Sequence, residues 1–276
     1  MNTTLLFEPI AKSDIAVAKI VSGQSAGEEI WLNTESCEGK CRRMGPCCEE
    51  ANQTPMRKIN LKDGKMIPLP REDTASHGFI FGPTSSGKSV FCGEYALEYQ
   101  KTYPDNPIYL ISYVEEDDSI DKIKGLIRIP LEEIMSGEIT GEALHDSMVI
   151  FDDVDALPPK PQGVEPEDFN AKAIFAKVEE LRDQLLTTGR HFNVSVLVTS
   201  HLGADFKHTK KPINESSFVV VFPRAGNFAQ VDRILRVYAG LTKKQVSEIQ
   251  QLPSRWVYLY KHFPNYIIHE KGIYLL

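Results

Sequence analysis

The sequence has no long apolar run: no stretch approaches the ~18 consecutive apolar residues from which a membrane-spanning helix is read. The start, Met1 to Ile20, carries Glu8 and Asp14 and lacks a basic segment followed by an apolar one, so no secretory signal is expected. Positive charge is also short. Lys and Arg total 31 against 38 Asp and Glu, a net charge of −7. No whole-molecule positive field therefore draws in nucleic acid, and any such contact must come from a local patch or from a ring of subunits. Cysteine is scarce too, with five residues of which four fall within Cys37 to Cys48. That is no disulfide framework for a secreted chain of this length, and a reducing compartment is the simpler reading. No internal repeat is present.

What the sequence does hold is centred on Gly82-Pro83-Thr84-Ser85-Ser86-Gly87-Lys88-Ser89. An apolar run, Gly78 to Phe81, precedes it, and Val90 to Tyr99 follows with the character of a helix. Strand, glycine-bounded loop and helix in this order match G-x-x-x-x-G-K-[ST], in which backbone N–H groups wrap a phosphate chain. The helix start adds its partial positive charge. Residues Gly82 to Val90 are thus the nucleotide-binding candidates. Lys88 is expected to reach the β- and γ-phosphates of ATP, and the Ser89 hydroxyl to ligate Mg²⁺.

The second landmark is Met148-Val149-Ile150-Phe151-Asp152-Asp153, an apolar strand ending in two carboxylates. Asp152 at the strand tip suits Mg²⁺, held through water. Asp153 is placed to orient or deprotonate the attacking water, although its reach is shorter than a glutamate's. Asp155 reads as the cap of the next turn. A helix is predicted over Ala171 to Thr188 from Ile174, Val178, Leu181 and Leu185, with Gly189 ending it. Val194 to His201 is a core strand with a polar end. His201 there either senses the γ-phosphate and positions water or is an ordinary hydrogen-bonded loop histidine. Ile108 to Ser112 and Ser217 to Phe222 are further buried-type strands. Residues Asn227 to Ala239 and Thr242 to Gln250 read as helices around Gly240, and Trp256 to Leu276 as a terminal β-meander. Strands alternating with helices give an α/β fold with a mostly parallel sheet flanked by helices.

Residues 1–70 read as a small N-terminal appendage with strands near Ile15 to Val21 and Glu29 to Leu32. Residues 71–276 form the P-loop domain, after the boundary at Pro68 and Pro70. The appendage holds Cys37, Cys41, Cys47 and Cys48. Their C-x3-C-x5-C-C spacing lacks paired C-x2-C knuckles, which favours free thiols over zinc. The acidic run Glu115 to Asp118 reads as a solvated loop. Lys207-His208-Thr209-Lys210-Lys211 is the one dense basic cluster. Repeated around a ring, Lys207, Lys210 and Lys211 would contact duplex DNA phosphates without reading sequence; on a monomer they would be a solvated loop.

GPTSSGKS, VIFDDVD, TGRHFNVSVLVTSH and SRWVYLYKHFPNYIIHEKGIYLL follow one another in an order that resembles the genome-packaging ATPases of large (nucleocytoplasmic) double-stranded DNA viruses, within the FtsK/HerA group of P-loop translocases. The resemblance covers residue 76 to the end. It implies a RecA-like (ASCE) core with an extra strand between the phosphate-loop and Walker B strands, assembly into a homo-oligomeric ring, and ATP-driven movement of double-stranded DNA into a capsid. A capsid or portal partner is implied with it, as are the host cytoplasm (the virus factory) and the virion as locations. By motif position Lys88, Ser89, Asp152 and Asp153 take the phosphate, magnesium, metal and water-activating roles. Arg190, at the helix terminus before the sensor strand, is the expected arginine finger acting on a neighbouring subunit; the other reading is that it covers helix C-terminal carbonyls, and Arg224 and Arg255 are runners-up. Competing functions are a nucleotide kinase, for which no arginine-rich lid is seen, a non-translocating regulatory NTPase, and a capsid-associated scaffold, which the intact lysine and aspartates disfavour.

Overall fold

A strand covered on both faces must be apolar along its whole length, and Phe79–Phe81, Met148–Phe151, Val196–Val198 and Phe218–Val221 are fully buried. They form the centre of a ten-stranded sheet. The computed structural model describes residues 3–33, 56–160, 169–203, 208–225 and 228–276. Cys37, Cys41, Cys47, Cys48 and Lys207 lie outside the described residues.

In chain order the strands are β1 (Thr4–Leu6), β2 (Ile15–Ser22), β3 (Glu29–Asn33), β4 (Lys58–Asn60), β5 (Lys65–Pro68), β6 (His77–Phe81), β7 (Ile108–Ser112), β8 (Ile127–Arg128), β9 (Ser147–Asp152), β10 (Val194–Ser200), β11 (Phe218–Val221), β12 (Val257–Tyr260), β13 (Tyr266–His269) and β14 (Gly272–Leu275). The helices are α1 (Lys88–Thr102), α2 (Leu131–Ser136), α3 (Ala171–Thr188), α4 (Lys210–Glu215), α5 (Phe228–Arg233) and α6 (Lys243–Gln251).

The large sheet runs β4-β14-β13-β12-β11-β6-β10-β9-β7-β8. From β11 to β8 all neighbours are parallel, and from β12 to β4 they are antiparallel. The phosphate-loop strand β6 and the Walker B strand β9 are thus separated by β10, the expected inserted strand. The meander β12–β14 continues the sheet, and β4 from the N-terminal stretch pairs with β14 at its edge. β1, β3, β2 and β5 make a separate four-stranded antiparallel sheet.

Alternation along each central strand feeds two cores. Ile80, Met148, Ile150 and Leu197 face one side, where α1 packs with Phe91, Cys92, Tyr95, Ala96 and Tyr99, and where Val17, Ile20 and Ile30 of the small sheet join. Phe79, Phe81, Val149, Phe151, Val196 and Val198 face the other, against Val178, Leu181 and Leu185 of α3 and Val246 and Ile249 of α6. No helix among the described residues is long and apolar enough to cross a membrane.

Helix α3 ends at Gly189, as expected, but without a left-handed glycine. Gly189 stays right-handed, with φ −56°. The chain continues as a 3₁₀ turn, Gly189–Phe192, and Asn193 takes the left-handed conformation at φ 55°. Asparagine tolerates that region, and here its side-chain amide also donates to Asp146 Oδ1 at 2.8 Å.

Candidate active site at the carboxyl end of the parallel strands

Phe81 ends β6, and Gly82 to Gly87 loop over to Lys88, the first residue of α1. The loop needs its glycines. A Cβ at Gly82 would lie 2.4 Å from Ser86 Oγ and 2.8 Å from the Phe222 ring, and Gly87 holds φ 101°. Ser85 is also left-handed, at φ 64°. Inside this curl the Ser86 hydroxyl is buried without a hydrogen-bond partner. A buried donor left unpaired costs about 1–3 kcal/mol, and an anion in the loop would supply its acceptor. The residues therefore fit a bound phosphate chain. Pro83 and Ser89 are half-buried, and Thr84 and Val90 are exposed.

Pairing of β9 with β10, and of β10 with β6, brings the other groups to the same rim. Asp152, only 2% exposed, accepts a hydrogen bond from Thr199 Oγ1 at 2.8 Å. Burial pushes its carboxyl up to about 6; Asp153 and Asp117 add to this, while Thr199 and Lys88 oppose it. Asp153 turns off the strand with φ 51°, and its backbone N–H donates to the same Thr199 oxygen at 3.0 Å.

Lys88 is buried in the centre of this cluster. Its Nζ lies 3.1 Å from His201 Nδ1, 3.5 Å from Pro83 O and 3.8 Å from Asp153 Oδ1. His201 Nε2 is 3.0 Å from the same Asp153 oxygen. One tautomer satisfies all of this: Nδ1 accepts from the ammonium, and Nε2–H donates to the carboxylate. Burial lowers the Lys88 pKa, with Asp153, Asp152 and Asp155 pulling the other way.

A magnesium ion here would be held by the Ser89 hydroxyl and, through water, by the Asp152 carboxylate. No group of three or more His, Cys, Asp or Glu side chains suited to a metal occurs among the described residues. A site of one serine and one aspartate does not require such a group. When bound, the ion would neutralise charge on the β- and γ-phosphates.

Arg190 is exposed in the turn before β10, and so lies at the amino ends of the parallel strands. The seven residues of β10 put it roughly 20 Å from the phosphate loop of its own subunit. Arg224 follows β11, and Arg255 precedes β12, whose Val257 pairs with Val221; both therefore sit on the phosphate-loop rim. Arg255 is held by Glu270 at 3.4 Å. In the basic cluster, Thr209 is buried and His208 Nδ1 lies 2.9 Å from Glu179. Lys211 pairs with Asp183 at 3.6 Å, and Lys210 is exposed. In the acidic run, Glu115, Glu116 and Asp118 are exposed, while Asp117 and Asp121 shape a turn that Arg128 braces.

Two polar groups of the site escape a sequence reading. Thr199 joins Asp152 to Asp153, and Asp155, expected to cap the next turn, receives the backbone of the His201 turn. The only signal for them was the polar end of β10, Thr199-Ser200-His201.

No family model matches the chain. Solved structures with a similar chain path include the pCW3 conjugation coupling protein TcpA with ATPgS, at a TM-score of 0.49 and 15% identity, covering 95% of this chain and 77% of that one. The genome packaging NTPase B204 from Sulfolobus turreted icosahedral virus 2, in complex with AMPPCP, has a TM-score of 0.43 and 13% identity over 72% of this chain and 97% of that one. The cytoplasmic domain of the Type VII secretion ATPase EccC from Thermomonospora curvata has a TM-score of 0.48 and 17% identity, covering 81% of this chain and 29% of that one. In sequence, the chain is similar to the uncharacterized protein V3 of Sputnik virophage, 28% identical over 270 residues that span 97% of this chain and 98% of that protein.

Proposed function

We propose that this chain is an ATP-hydrolysing DNA translocase that moves double-stranded DNA into a viral capsid. One observation carries the ATPase half of the reading: Lys88, Asp152 and Asp153 converge on one rim of the sheet with β10 between their strands. A phosphate loop supplies binding, and the acidic strand tip supplies a metal ligand and a second carboxylate for water. Water is the favoured acceptor because a carboxylate and a histidine stand beside Lys88, where a kinase would need an acceptor pocket.

The translocase half rests on the resemblance to the FtsK/HerA group and on where the arginines lie. Arg190 is too far from its own phosphate loop to act there, so a finger role requires a neighbouring subunit and hence a ring. Lys210 and Lys211, with Lys207, would offer the ring's lysines to DNA phosphates. The test is ATP turnover with and without duplex DNA, together with the mass of the assembled protein. A ring with DNA-stimulated turnover supports the proposal. Turnover indifferent to DNA in a monomer favours a regulatory NTPase.

A further inference from the structure

The turn bearing His201 is pinned from three directions. Asp155 Oδ2 accepts the backbone N–H of His201 at 2.7 Å and of Leu202 at 3.3 Å, and the Ser200 hydroxyl at 2.7 Å. Gly203 N–H donates to Gln230 Oε1 of α5 at 3.1 Å. Gly203 also lies flat on the Phe81 ring, where an added Cβ would be 2.6 Å from Cζ. Phe81 is the residue immediately before the phosphate loop. Asp155 is two residues beyond Asp153 on the segment leaving β9, and the described residues that follow it, 156–160, are not helical. Hydrogen bonds to an ionised carboxylate are about twice as strong as neutral ones.

We propose that Asp155 is a positioning residue, which fixes the His201 backbone so that the imidazole stands between Lys88 and Asp153. The imidazole is joined to the chain at the residue whose N–H Asp155 holds, and its two nitrogens reach Lys88 and Asp153. If the turn slackens, His201 loses both partners together. The catalytic part of this inference rests on the hydrolase reading above, while the positioning part does not need nucleotide.

The test uses the full-length assembled protein and the variants Asp155→Ala, Asp155→Asn, His201→Ala and the Asp155→Ala/His201→Ala double. Asp155→Ala is expected to lower kcat for ATP about 10²-fold with KM within about threefold, the scale of a small misplacement at a reacting centre. Asp155→Asn keeps an acceptor for the His201 N–H and recovers most of that loss. The double variant falls no further than His201→Ala alone, because both changes remove one interaction. In nucleotide-free protein, amide exchange at His201 and Leu202 speeds up in Asp155→Ala. Losses that multiply in the double variant overturn the proposal, as does an unaltered kcat in Asp155→Ala. Absence of wild-type ATP turnover would overturn the hydrolase reading instead, and unchanged exchange protection at His201 and Leu202 would then overturn the role of Asp155.

Discussion

Lys88 Nζ lies 3.1 Å from His201 Nδ1, so the ammonium proposed to bind phosphate is already engaged by the residue just past the end of the neighbouring strand. The other imidazole nitrogen meets Asp153 at 3.0 Å. A γ-phosphate arriving in the loop would compete with His201 for the ammonium. The lysine proposed to bind it and the carboxylate proposed to face water are therefore linked through one ring. His201→Ala should lower ATP turnover by about 10²-fold, the scale of losing one preorganised donor, with nucleotide affinity little changed. His201→Gln should retain more activity, because an amide both accepts and donates. Steady-state turnover beside equilibrium binding of an ATP analogue measures the split.

Asp152→Asn should produce a sturdier but inactive protein. The folded carboxyl stands near 6, above its ordinary 3.8, so the fold holds a proton that the unfolded chain has released. The resulting penalty is absent below 3.8, grows as pH rises through 6, and is complete above it. At pH 8 without magnesium or nucleotide, the amide should raise unfolding stability by up to about 3 kcal/mol. ATP turnover should fall to background, since no charge remains for the metal. Denaturant titration at pH 5 and pH 8 checks the sign: the gain must be larger at pH 8.

His77 should set part of the acid limit of the fold. It is fully buried at the start of β6, with both ring nitrogens unpartnered. Burial, with Arg190 nearby, lowers its pKa from 6.5 to about 4. Its contribution is intact above 6.5 and is lost as pH falls through 4, about 3 kcal/mol in all. His77→Leu should flatten the stability profile across that window and leave pH 8 stability equal or higher. His269, also lowered to about 4, keeps its own share of the acid slope.

The parts legible in the sequence are the local ones. Glycine spacing around Lys88 and the apolar run before Asp152 each report a strand, its end and a chemistry within ten residues. The strands of the meander, β12 to β14, were visible through their alternation with turns. Partnerships made by register were not visible. Thr199 meets Asp152 only because β10 pairs with β9, and Lys58–Asn60 reaches the large sheet only by pairing with β14. The end of α3 at Gly189 was legible, but not which residue would take the left-handed position that follows. Glycine is the usual choice, but the chain tightened into a 3₁₀ turn and left that position to Asn193. The rim occupied by Arg190 was readable in principle, because a residue just before a parallel strand lies at the strand's amino end.

Arg190→Ala should abolish most hydrolysis in the assembled protein, by about 10³-fold or more, while leaving ATP binding intact. On the proposed ring reading, its distance from its own loop assigns that loss to the neighbouring subunit. Mixing Arg190→Ala with Lys88→Ala subunits, each inactive alone, should restore turnover at the junctions that pair an intact arginine with an intact loop. No recovery on mixing would remove Arg190 from that role.

Movement along DNA is measured most directly by displacement of a third strand from a linear duplex. Wild-type protein with ATP and magnesium should release the triplex-forming strand, and Asp153→Asn should bind ATP yet release none. Robust ATP turnover by the wild type with the third strand left in place would contradict a translocase.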